Sequence, residues 1–193
     1  RMPANGSDET TDQKVGGWGT SPFRLLRFGR QECGQALRRW RRPLTPNGLE
    51  SHMRLANELD DGRRAHVERR LQTNLMAWLT TVSPSGRPHS VPVWFLVQDD
   101  DTILIYSRPG KAKLSNIATN PHVALGLDVT DLGRDVIRFE GTAVHMPDHP
   151  TADQVPTYVS KYVERIAAIF GTPAAFARSF SEAILITPTG LHA

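Results

Sequence analysis

The chain has 193 residues, 39% of them hydrophobic and 22% charged, with a formal net charge of +3. That length suits one domain or two, the composition is that of an ordinary folded protein, and no apolar run approaches the about 20 residues a membrane helix needs. A single cysteine, Cys33, excludes an internal disulfide and a multi-cysteine metal site, and the seven histidines show none of the spacings of a zinc enzyme.

The charge is unevenly placed. Residues 1–53 carry a net +4 and residues 54–193 a net −1, so the basicity belongs to the first quarter of the chain and predicts no nucleic-acid surface on the rest. Residues 1–53 read as an irregular N-terminal extension, punctuated by Gly16, Gly17, Gly19, Gly29 and Gly34. Phe23 to Arg42, with seven arginines, has the makings of a basic amphipathic helix for an acidic partner or a membrane surface; the alternative is a poorly ordered tail, since Gly29 and Gly34 weaken a helix. Ser51-His52-Met53 resembles the scar of a cloning site, with Met53 as a native start. No secretory leader opens the chain, so the expected compartment is the cytoplasm.

Residues 54–193 read as one folded domain. Leu55 to Leu71 has sparse apolar positions at helical spacing. Ala77 to Val82 is an apolar, β-branched strand, Ser83-Pro84-Ser85-Gly86 a turn, and Pro88 to Gln98 a second strand. Asp99-Asp100-Asp101 turns the chain again, more simply a solvated turn than a metal site, and Thr102 to Ser107 returns as a third strand of a meander. After Arg108-Pro109-Gly110, Lys111 to Thr119 is a short helix stopped by Asn120-Pro121. His122 to Asp128 and Asp135 to His145 form a hairpin, Val155 to Phe170 a helix, Pro173 to Phe180 another, and Ala183 to Thr187 a last strand. Six short strands without βαβ alternation predict an α+β barrel.

Two segments carry chemistry. In Pro88 to Phe95, Pro92 sits mid-strand, where its missing N–H suits an edge or a backbone facing something other than a strand, such as a flat heteroaromatic ring. In Ser107 to Asn116, Lys111 and Lys113, two of the three lysines beyond residue 53, stand at a helix start, where cations oppose the helix dipole unless an anion lies between them and the free N–H groups. A solvated surface pair is the simpler alternative.

These runs, "TVSPSGRPHSVPVWF", "ILIYSRPGKAKLSNIATNPHVALGLD" and "FEGTAV", resemble the pyridoxamine 5'-phosphate oxidase-like split β-barrel flavoproteins over about residues 66–187, and most of all the actinobacterial branch that uses the deazaflavin coenzyme F420. The resemblance implies a six-stranded antiparallel split β-barrel with flanking helices, and a homodimer with cofactor sites at its interface. It places the backbone of His89, Ser90, Val91, Pro92 and Val93 along the cofactor ring, Ser107, Lys111 and Lys113 on its phosphate, and Asn116 at the helix start or in the same region. Ser115 stands where relatives often carry Arg, one positive charge fewer for an acidic cofactor tail. The implied activity is hydride transfer from reduced F420 to an electron-poor small molecule of enone or quinone type. The alternatives are an FMN-dependent reductase or oxidase of the same fold and a non-catalytic F420 carrier. The chemistry then belongs to the cofactor. His89, His122 and His145 are conceivable proton donors, but a lone strand histidine is more often structural, so no catalytic residue is assigned.

Overall fold

The computed structural model describes residues 54–128 and 133–193; expectations for residues 1–53 and for the 130–132 turn lie outside them. The helix expected over 55–71 begins later. A 3-10 turn, Arg54–Glu58, comes first, and Asp60 then accepts the Arg63 N–H at 3.0 Å as N-cap of α1, Asp61–Thr73. Val67 and Leu71 of α1 face the core.

Seven antiparallel strands follow: β1 (Ala77–Val82), β2 (Pro88–Val93), β3 (Phe95–Val97), β4 (Ile103–Ser107), β5 (His122–Leu127), β6 (Arg138–Met146) and β7 (Glu182–His192). Their order across the sheet is β2-β1-β5-β6-β7-β4-β3. The expected meander is thereby corrected. The run from Pro88 to Gln98 is two strands, so the sheet has seven and not six. β2 pairs with β1 at one edge while β3 pairs with β4 at the other. Because those two edges are joined through the single residue Trp94, the sheet has to curl until they almost meet. The result is a split barrel.

Tyrosines pay for the break at Trp94. The Phe95 N–H leaves the ladder and donates to the Tyr162 hydroxyl at 2.7 Å, and that hydroxyl also lies 2.7 Å from the Phe95 carbonyl oxygen. Buried backbone groups need such partners. β7 runs to His192, beyond the expected Thr187, because it pairs along the whole of β6. The register slips between Glu140 and Gly141, opposite Pro188. A Cβ on Gly141 would lie 2.5 Å from the Thr187 carbonyl oxygen, so the close approach at this irregularity admits only glycine.

Three further helices complete the fold: α2 (Ala112–Thr119), α3 (Pro156–Phe170) and α4 (Pro173–Ser179). Inside the barrel Leu79, Phe95, Ile103, Ile105, Leu125, Phe139, Ile184 and Ile186 form one core. Between the sheet and α3 and α4 lies a second, where Leu104, Tyr106, Tyr158, Tyr162, Ile166 and Phe176 pack together. β4 is buried along its whole length, and its alternate side chains serve the two cores in turn.

Candidate functional site

The end of β4 and the start of α2 are shaped by local chemistry. Ser107 is buried, its hydroxyl donating to the Arg108 carbonyl at 3.0 Å. Gly110 then takes φ +69°, a left-handed conformation suited to glycine. Lys111 is the N-cap of α2, but no side chain caps the helix and no acidic residue lies in its first turn. The first amides of α2 therefore lack the side-chain acceptor that a Ser, Thr, Asp or Asn would supply. Asn116 is buried and donates to the Thr81 hydroxyl at 3.0 Å, tying α2 to β1.

Lys113 reaches from that first turn into a cavity of about 280 Å³ lined by Met76, Pro92, Val93, Trp94, Tyr106, Lys113, Ile169, Phe170, Phe176 and Phe180. Burial lowers the pKa of Lys113, and the charge of Lys111 lowers it further. An anion at this point would reverse both penalties. The walls are flat and aromatic: Trp94 stacks on Tyr162 with centroids 4.7 Å apart and on Phe176 at 5.4 Å. The Arg108 guanidinium lies 5.0 Å from the centre of the Phe180 ring, bringing a further cation to that wall. Tyr106 donates to the Pro150 carbonyl at 2.6 Å, and burial, then Asp153, raises its pKa, so it stays a neutral phenol.

The structure brings Pro92, Val93 and Lys113 to one cavity, with Lys111 beside them. His89, Ser90 and Val91 run away from it along the outer strand β2, where Ser90 and Thr80 share a 2.7 Å hydroxyl contact. Ser107 and Asn116 face inward. Of the conceivable proton donors, His89 and His122 are exposed, and His145 lies 2.6 Å from the Glu182 carboxylate, all outside the cavity lining. The aspartate turn is structural: Asp100 accepts from the Thr102 hydroxyl at 2.5 Å, and Asp101 pairs with Arg54 at 3.0 Å. Among the described residues no cluster of His, Cys, Asp or Glu could hold a metal, and no helix is long and apolar enough to cross a membrane.

Sequence reasoning missed the far wall. Ile169, Phe170, Phe176 and Phe180 fall in segments whose spacing marks only helices, and the run of phenylalanines around the Gly-Thr-Pro corner is the one local signal that could have found them. Trp94 was visible as the lone indole in an aliphatic run, but its place between two strands was not.

Comparison with known proteins agrees with this architecture. A pyridoxine/pyridoxamine 5'-phosphate oxidase from Yersinia enterocolitica is 28% identical over 137 residues, covering 66% of this chain and 59% of the relative. The chain thus spans under two thirds of the curated relatives it matches. Among solved structures, an F420 reductase superposes with a TM-score of 0.51 at 23% identity, covering 65% of this chain and 94% of the other. A conserved hypothetical protein from Mycobacterium tuberculosis superposes at 0.50 and 19% identity, covering 64% and 78%. At those identities the likeness is one of fold. A family model described as pyridoxamine 5'-phosphate oxidase matches residues 64–191, from within α1 through nearly all of β7, and by that match the chain belongs to the pyridoxamine 5'-phosphate oxidase family.

Proposed function

We propose that this protein binds a flavin-type cofactor, coenzyme F420 by its sequence resemblance, and uses it to reduce an electron-poor small molecule of enone or quinone type. The carrying observation is the cavity that joins Pro92, Val93 and Trp94 to Lys113 in the uncapped first turn of α2. The residues fit such a group: amides and two ammonium groups for a phosphate, and aromatic walls for a planar ring.

Lys111 and Lys113 hold the phosphate, with Ser107 shaping the turn that presents them. Pro92 and Val93 lie on β2, an edge strand among the described residues, whose open side offers backbone groups to a ring edge. Trp94, Phe176 and Phe180 exclude water. When bound, the reduced cofactor supplies the hydride, and the chain supplies binding and orientation. Trp78, 44% exposed, stands between Pro92 and Gly126 on neighbouring strands, and Ile169, 62% exposed, lines the cavity. Such apolar exposure beside a cleft suits a second copy completing the site. Membership of a family named for pyridoxamine 5'-phosphate oxidase favours the second reading, an FMN-dependent reductase or oxidase.

Fluorescence titration with F420, run beside FMN, tests the reading. Binding of F420 at micromolar concentration or tighter is expected; binding of FMN alone would transfer the site to the second reading. Turnover assays across quinones and enones separate an enzyme from a cofactor carrier.

A further inference from the structure

A second cavity, of about 370 Å³, lies between α1, β3 and α3, and shares no lining residue with the first. Leu71, Leu96 and Val97 give it an apolar side, Thr157 and Ser160 an exposed hydroxyl rim, and Lys161 its cation. The Lys161 ammonium donates to the Leu71 carbonyl at 2.9 Å, in the last turn of α1, where carbonyls lack helical partners. It also lies 3.9 Å from the centre of the Phe95 ring. Among the described residues no carboxylate lies within ion-pairing distance of it.

An ammonium has three donors. A carbonyl takes one and a ring face attracts another, which leaves one for the cavity. We infer that this cavity is a second ligand site, for a small monocarboxylate with a short apolar body, its carboxylate on Lys161 and its body against Leu71, Leu96 and Val97. A cation half withdrawn from water is stabilised by an anionic partner, and the cavity size falls in the range of small-molecule sites. Glu68 also lines it. A second negative charge on the ligand would lie against Leu71, Leu96 and Val97, so a dianion is disfavoured.

Burial alone holds the Lys161 ammonium down to a pKa of about 8. A carboxylate partner favours its charged form, so binding takes up a proton above that pH and weakens as pH rises. Of the other titratable groups on the elements packed here, Glu68 of α1 lines the same cavity and the centre of the Tyr162 ring of α3 lies 5.8 Å from the ammonium; β3 contributes none.

The test is calorimetric titration of the full chain with hexanoate, hexan-1-ol and succinate, at pH 6.5 and 9.5. Hexanoate is expected to bind the wild type, at least about 10-fold more tightly than hexan-1-ol or succinate and more tightly at the lower pH. Lys161→Met is expected to weaken hexanoate by at least about 10-fold, and Lys113→Ala to leave it unchanged. Absence of hexanoate binding, equal binding by the Lys161 variant, or loss in the Lys113 variant overturns the inference. Should Lys161→Met fail to fold, the wild-type pH dependence decides: an affinity that does not fall between the two pH values overturns it as well.

Discussion

The two cores of this protein are built from one strand and do different work. Ile103 and Ile105 of β4 point into the barrel, where aliphatic side chains and Phe95 and Phe139 leave every partner enclosed. Leu104 and Tyr106 point the other way, into an aromatic layer roofed by α3 and α4. The aliphatic side closes on itself. The aromatic side holds the cavity with Lys113 in its wall. Aliphatic residues fill space from any direction, whereas stacked rings meet at fixed angles and leave gaps of defined shape. Stability therefore concentrates inside the barrel, and the proposed cofactor site lies where the rings meet a helix start.

The contrast is most easily broken from the barrel side. Ile105→Ala should cost about 2–5 kcal/mol in urea unfolding while leaving cofactor affinity of the folded fraction unchanged; an affinity loss without a stability loss would erase the division between the cores. Tyr162→Phe keeps the ring stacked on Trp94 but removes the hydroxyl serving Phe95, so unfolding should become easier by about 1–3 kcal/mol. Lys113→Ala tests the opposite side: cofactor affinity should fall about 10-fold, with stability moving by less than about 0.5 kcal/mol. Unchanged affinity would place the anion site elsewhere.

A further effect depends on pH. The folded pKa of Lys161, about 8, lies below its usual 10.5, so the folded chain gives up this proton first. Between those pH values the unfolded state binds more protons, and wild-type stability should rise with pH relative to Lys161→Met; below about 8 the difference should be flat. Urea unfolding of both proteins at several pH values measures it, and a falling difference would contradict the burial of that ammonium.

Much of the fold was legible locally. Apolar and β-branched runs marked β1 and β4 to within a residue, Asn120-Pro121 ended α2 where expected, and Gly171-Thr172-Pro173 separated α3 from α4. The run Pro88 to Gln98 misled because Val93, Trp94 and Phe95 all suit a strand and no turn residue separates them. Nothing in its spacing says that the ladder breaks at Trp94, since the cause is Tyr162, 67 positions beyond Phe95 and hydrogen-bonded to it. The site divides in the same way. Lys113 was conspicuous as a cation at a helix start, while Phe176 and Phe180 became its neighbours only when α4 folded back across the sheet.

The sequence by itself determined most of the strand and helix segments, where most turns fall, and the helix-start lysine pair, because these follow from side-chain period, backbone restriction and the helix dipole acting within a few residues. Tertiary structure alone decided the strand order, the split at Trp94, the two cavities and the seat of Lys161 between the Leu71 carbonyl and the Phe95 ring. Each of those depends on which distant surfaces meet. That choice is made by the burial of whole faces against one another, which no local pattern encodes.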